Sequence, residues 1–270
     1  MDSGPATEPE SLRALGVRPS AALYLTEPLR GVIDRAILPV ATPWLRSAPP
    51  GDGHGVLVLP GLLASDASTR PLRSFLRGRG YYVRGWRLGR NLGPTEAILD
   101  GMPGGLRDLA ERTGGPVSVI GWSLGGIYAR YLAMEHTAYV RQVITLGSPF
   151  GVAHGHRTHA DATFDRLMAL HARPTRFPTP SHWTDPVPVP TTSVYSRFDG
   201  IVAWRACLGD VEPTHQNVEV RCSHLGFGYD PATLWVVADR LARPVADWAP
   251  FAPPRLLRPF YGDLSGPSGD

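Results

Sequence analysis

The sequence predicts an α/β fold: a mostly parallel central sheet flanked by helices on both faces, with a short lid insertion. Three observations carry this prediction. Short apolar, β-rich runs alternate with stretches of helical spacing, the rhythm of strand–helix–strand crossovers. One such run, "VSVIG", passes through a glycine-flanked serine straight into a helical pattern. The length, 270 residues with 43% hydrophobic and 19% charged side chains, suits one large α/β domain or two small ones.

Residues 1–54 are expected to form an N-terminal helical arm of two or three proline-broken amphipathic helices. Leu23, Leu25, Leu29, Val32, Ile33 and Ile37 are the apolar positions with which such an arm packs on the body; a place on a membrane surface is the lesser alternative. Strands are expected at "GVLVLP" (55–60), "YYVRGW" (81–86), "VSVIG" (117–121), "RQVITLG" (141–147), "TTSVYS" (191–196) and "NVEVRC" (217–222). Helical spacing falls at 68–78, at 94–113 with an interruption at "MPGG", at 124–136 and at 231–243. Residues 151–190, rich in His, Arg and Pro, break the rhythm as an inserted lid would. Residues 244–270 read as a Pro-rich tail, frayed at "LSGPSGD". The body of the fold is thus expected over 55–243, and no internal repeat is visible.

Composition narrows the function classes. Net charge is +3, and with no lysine present all 27 cations are arginines. They form no clustered runs, so nucleic acid is not an expected partner. No apolar stretch approaches the roughly 20 residues of a membrane-spanning helix, so no stable membrane insertion is expected. The acidic start "MDSGPATEPESLRAL" lacks the basic region and apolar core of a signal peptide, which gives a cytoplasmic expectation. The two cysteines, Cys207 and Cys222, either pair or remain two buried thiols.

"GWSLG" (121–125) is a G-x-S-x-G pattern. A serine on a tight turn from strand to helix projects its oxygen out of the backbone, and glycines two before and two after relieve the crowding of that turn. The helix then begins at the serine, and the free N–H of Leu124 faces any negative charge forming there. A serine hydroxyl needs a base, and the base needs a carboxylate to orient it. Asp199 follows the run "TTSVYS", and His224 follows "NVEVRC"; of nine histidines it is the only one so placed. The order is Ser123, Asp199, His224, with gaps of 76 and 25 residues. After "GVLVLP", Gly61 allows a sharp turn that leaves the N–H of Leu62 as a second oxyanion donor. Asp66 is the rival acid, but its place before "STRPLRSFL" suits a helix cap better.

These residues resemble the α/β-hydrolase superfamily, in particular its bacterial lipase and esterase branch. "VLVLPGLLASDASTRPLRSFLRGRGYYVRGWRLGRNLGP" is similar to the stretch that carries the oxyanion loop and first helix in that group. "GWSLGG", "TLGSPFG", "SRFDGIV" and "RCSHLGFG" resemble its nucleophile elbow, the following strand end, its acid loop and its histidine loop. The resemblance covers roughly residues 51–243. It implies the α/β-hydrolase fold and hydrolysis through an acyl-enzyme, usually of carboxylic esters, with no cofactor. Two positions depart from many secreted lipases: Pro60-Gly61 stands in place of His-Gly, and Phe150 in place of a histidine after Ser-Pro.

Leu63, Trp122 and Phe150, with Leu62 and Leu124, flank the expected nucleophile and suit either an acyl pocket or core. His154, His156, His159, Asp161 and Asp165 are zinc-type ligands, but their spacing matches no defined metal site, so no metal is expected. The sequence therefore predicts a serine hydrolase for short- to medium-chain acyl esters. The alternatives are an acyltransferase or thioesterase with the same triad, and an inactive binding module.

Overall fold

The computed structural model describes residues 18–151, 156–170 and 177–262. Six strands, β1 (Gly55–Leu59), β2 (Tyr82–Gly85), β3 (Val117–Trp122), β4 (Val140–Leu146), β5 (Thr191–Ser196) and β6 (His215–Val220), form one sheet in the order β2-β1-β3-β4-β5-β6. Every pairing is parallel. All six overlap the runs expected from sequence; β6 starts and stops two residues earlier, because the chain leaves the sheet to carry the histidine loop.

The central strands β1 and β3 are largely apolar because both faces of the sheet are covered there. Every residue of β1, β3 and β5 is buried. Alternate positions feed two cores. Val56, Val58, Ile120 and Ile144 pack with Leu72 and Leu76 of α2 (Arg70–Gly78) and Leu234 and Val237 of α6 (Pro231–Ala242). Leu57, Leu59, Val119 and Val143 pack with Leu99, Leu106 and Leu109 of α3 (Glu96–Thr113) and Ile127 and Leu132 of α4 (Leu124–Glu135).

α3 runs unbroken through "MPGG", contrary to the interruption read from sequence. One proline and two glycines inside a helix cost about 5 kcal/mol together. Against that, Ile98, Leu99, Met102, Leu106 and Leu109 are all buried, each worth about 1.5–3 kcal/mol, so burial wins.

The arm departs further. Among its described residues the arm is a single helix, α1 (Ala21–Leu45), capped by Ser20 and continuous through Pro28, Pro39 and Pro43. All three prolines are exposed, so water can reach the carbonyls that lose an N–H partner. The expected packing is met only in part: Leu23 is half-buried, but Leu25, Leu29, Val32, Ile33 and Ile37 are exposed and Glu27 is buried, and the helix instead reaches the core through Leu38 and Leu45.

In the expected lid, α5 (Asp161–Leu170) lies over the carboxyl ends of the strands. Phe177, Trp183, Val187 and Val189 are buried in the core, so the second half of the insertion serves as body. In the tail, Phe251, Leu257 and Tyr261 are also buried. "LSGPSGD" lies outside the described residues, as do residues 1–17 and His154. The chain builds β2 on one side of β1 and places β3 on the other, which opens a crevice between the carboxyl ends of β1 and β3.

Candidate active site

Ser123 sits in that crevice, between the end of β3 and the start of α4. Its backbone is held at φ 54° and ψ −123°, a conformation costly for any residue with a side chain. The two glycines of the pattern make the turn feasible. A Cβ on Gly121 would run into the Gly125 carbonyl, and one on Gly125 into the Leu59 carbonyl. The turn is pinned by the Ser123 N–H, which donates to the Leu146 carbonyl at 2.8 Å.

The structure brings Asp199 and His224 together from the loops after β5 and β6. His224 Nδ1 lies 2.6 Å from Asp199 Oδ2, and both residues are buried. The other oxygen, Oδ1, accepts the N–H groups of Ile201 (2.8 Å) and Val202 (2.7 Å), which fixes the carboxylate plane. Burial opposes a proton on His224. The Asp199 carboxylate, through its charge and its hydrogen bond, and the Glu27 charge more than offset this, so the imidazole binds its proton more tightly than usual. Trp122 Nε1 donates to the His224 carbonyl at 3.1 Å, and Ser196 Oγ donates to the Cys222 carbonyl at 2.6 Å. The acid and histidine loops are thus tied to the sheet and to each other.

The N–H groups of Leu62 and Leu124 meet no acceptor among the described residues. Leu124 is the first residue of α4, where a helix leaves its N–H free. The Leu62 loop is held by Asn91, a fully buried residue that sequence reading did not single out. Its Nδ2 donates to the Pro60 carbonyl at 2.9 Å, and its carbonyl accepts the Leu63 N–H at 2.7 Å. Its Oδ1 accepts from Gly93 N–H and the Tyr128 hydroxyl.

A second unforeseen set lies on the inner face of α1. Glu27 accepts the Gly200 N–H at 3.0 Å with one carboxylate oxygen and the Leu225 N–H at 2.8 Å with the other. These are the amides next after Asp199 and His224. Arg30 pairs with Glu27 at 2.7 Å and also donates to the Phe198 carbonyl. Asp34 accepts from the N–H and hydroxyl of Ser223, the residue before His224. The only signal in the sequence is that Glu27, Arg30 and Asp34, spaced three and four apart, share one helix face.

Two cavities meet at Ser123. One, about 280 Å³, is lined by Tyr24, Leu62, Leu63, Trp122, Ser123, His224 and Leu225. The other, about 610 Å³, is lined by Leu62, Ser123, Leu124, Ile127, Phe164, Trp183 and Val202. Leu63 and Trp122 line the smaller cavity and not the larger one. Phe150 lines neither: it is fully buried, with the Arg130 guanidinium 4.5 Å above its ring, and it packs the core.

Asp66 does not cap α2. Its two oxygens accept the N–H groups of Trp86 (3.0 Å) and Arg87 (3.1 Å), closing the turn after β2. Cys207 and Cys222 are free buried thiols, and burial pushes both pKa values up. His159 stacks on Tyr24 at 4.1 Å and Asp161 caps Thr158; among the described residues no three His, Cys, Asp or Glu side chains are grouped to hold a metal ion. No described helix is long and apolar enough to cross a membrane.

The sequence matches no protein-family model and no curated protein. Its shape does have counterparts among solved structures. Aspergillus fumigatus lipase B aligns with a TM-score of 0.55 at 18% identity, over 74% of this chain and 57% of that one. One of the metagenome-derived lipolytic enzymes LipS and LipT aligns at 0.53 and 16% identity, over 72% and 93%. The pyrethroid hydrolase PytH aligns at 0.51 and 19% identity, over 73% and 100%. Likeness at such identities speaks for architecture, and with the parallel sheet and the strained serine turn it makes this the α/β-hydrolase fold.

Proposed function

We propose that the protein is a serine hydrolase that cleaves carboxylic esters of short- to medium-chain acyl groups. The observation that carries the reading is the buried Asp199–His224 pair, whose histidine lines the same cavity as the strained Ser123. In this reading Ser123 Oγ attacks the ester carbonyl while His224 Nε2 takes its proton. Asp199 holds the Nδ1–H tautomer and stabilises the imidazolium. The N–H groups of Leu62 and Leu124 receive the oxyanion, each such donor being worth about 2.7–4 kcal/mol in the transition state. The intermediate collapses, and the leaving alkoxide takes the proton from His224. Water, deprotonated by His224, then attacks the acyl-enzyme and returns Ser123 to its free form. None of these steps draws on a metal or cofactor.

The larger cavity, walled by Leu124, Ile127, Phe164, Trp183 and Val202, suits an apolar acyl chain. The smaller one, beside Leu63 and Leu225, suits the alcohol. Across p-nitrophenyl esters, kcat/KM should rise from acetyl to about hexanoyl, gaining up to about 0.8 kcal/mol per methylene buried, and fall beyond roughly ten carbons. Ser123→Ala should reduce turnover by about 10³-fold or more with the fold intact. Turnover within about tenfold of wild type, or no labelling of Ser123 by a fluorophosphonate, would sink the assignment.

A further inference from the structure

The outer face of α1 is apolar over most of its length. Leu25, Leu29, Val32, Ile33, Ile37 and Val40, spaced three and four apart, are 46–81% exposed. A surface helix ordinarily turns such a stripe toward the core. Here the inner face is occupied by Glu27, Arg30 and Asp34, so the stripe faces outward. The surface continues past the helix. Trp44 lies 6.2 Å from Phe260, and Phe260 and Leu256 are 55% and 89% exposed. A contiguous apolar surface of this kind marks an interaction site.

Charge says which kind. The two acidic residues of α1, Glu27 and Asp34, are both turned inward on the loops around His224. The exposed charges at the end of α1 and beside Leu256 and Phe260 are cationic, Arg46, Arg255 and Arg258, while Arg35 rests over the Tyr229 ring. Among the described residues, the outer face of α1 and the segment from Arg255 to Gly262 offer no exposed carboxylate, so two copies meeting across a two-fold axis would set these arginines against each other. An anionic bilayer supplies both what the stripe lacks, acyl chains, and what the arginines lack, phosphates.

We propose that the outer face of α1, with Leu256 and Phe260, docks in the plane of an anionic lipid surface. The stripe enters the boundary between headgroups and acyl chains, and the arginines reach the headgroup phosphates. Tyr24, in the first turn of the helix, and the exposed Leu225 both line the smaller cavity, so docking sets the mouth of the candidate site beside the membrane. The proposal rests on α1 and the tail, and holds whether or not Ser123 is a nucleophile.

The test is co-sedimentation of the full chain with vesicles of phosphatidylcholine containing phosphatidylglycerol, and with phosphatidylcholine alone. The wild type should sediment with the anionic vesicles, less so at about 1 M salt, where charges are screened beyond ~3 Å. The double variant Leu29→Ser, Ile33→Ser should lower the bound fraction about tenfold or more. Arg46→Gln and Arg258→Gln should each lower it about fivefold. Circular dichroism and fluorophosphonate labelling should be unchanged in all of these variants. Equal binding to both vesicle types, or wild-type binding by the Leu29→Ser, Ile33→Ser variant, overturns the proposal. So does a dimer that this variant dissolves, with no vesicle binding by the wild type.

Discussion

Glu27→Gln tests how far the N-terminal helix takes part in the chemistry. Glu27 is 2% exposed and its two oxygens each hold one loop amide, those of Gly200 and Leu225. A glutamine keeps the shape but turns one acceptor into an NH₂ donor that faces an N–H. One buried amide then loses its partner, at about 1–3 kcal/mol in stability. Because these amides adjoin Asp199 and His224, the displaced loop should also lower kcat about 10- to 100-fold, the scale of a misplacement of up to 1 Å. KM should stay within about threefold, since Glu27 lines neither cavity beside Ser123. The pH profile adds a readout that loosened packing alone would not move. His224 acts as a base only when neutral, so the rate falls as pH drops through its raised pKa. Removing the Glu27 charge removes one of the causes that raise this pKa, so the acidic limb should shift to lower pH. The assay is hydrolysis of p-nitrophenyl butyrate against pH, with the fluorophosphonate labelling rate of Ser123 measured in parallel. If Glu27→Gln keeps the wild-type limb and the wild-type labelling rate, Glu27 is only a structural clip and the reasoning fails.

Two more expectations follow from the same geometry. Asp199→Asn should reduce kcat by about 10⁴-fold through the wrong imidazole tautomer, whereas Asp66→Asn should cost about 1–2 kcal/mol in chemical denaturation and little rate; a reversal of the two effects would show that the acid is Asp66. Asn91→Ala should free the Pro60–Ala64 loop and lower kcat about 10²-fold or more by misplacing the Leu62 donor, and unchanged acylation kinetics would remove Leu62 from the oxyanion role.

The sheet was legible because its strands are short runs rich in apolar or β-branched residues between turn residues, a signal strongest in β1 and β3, which are buried on both faces. The places of Ser123, Asp199 and His224 after β3, β5 and β6 were legible because parallel topology brings the loops that follow strands to one edge of the sheet. α1 was misread by a rule that assumes apolar side chains turn inward; its polar face is inward because it has backbone amides to satisfy. The "MPGG" segment of α3 was misread because local propensity outvoted a stripe of five buried apolar residues. Phe150 was misplaced because proximity in sequence to a functional loop says nothing about which side of the strand a ring takes. Asn91 left no local trace, and Glu27 only its place on one helix face with Arg30 and Asp34, since their partners lie far along the chain and their chemistry is that of ordinary surface residues until the fold closes around them.

The clip that Glu27 forms has a consequence for the order of assembly. Its partners Gly200 and Leu225 lie 173 and 198 residues downstream. At about 5–20 residues per second of synthesis, α1 leaves the ribosome roughly 10–40 s before the amides that its inner face will hold. For that interval the Glu27 carboxylate lacks the two amides that hold it when buried. The histidine loop, in turn, reaches its final form only when the first helix closes on nearly the last strand. The site is therefore completed only after Gly200 and Leu225 have been made, and its formation reports that segments some 200 residues apart have come together.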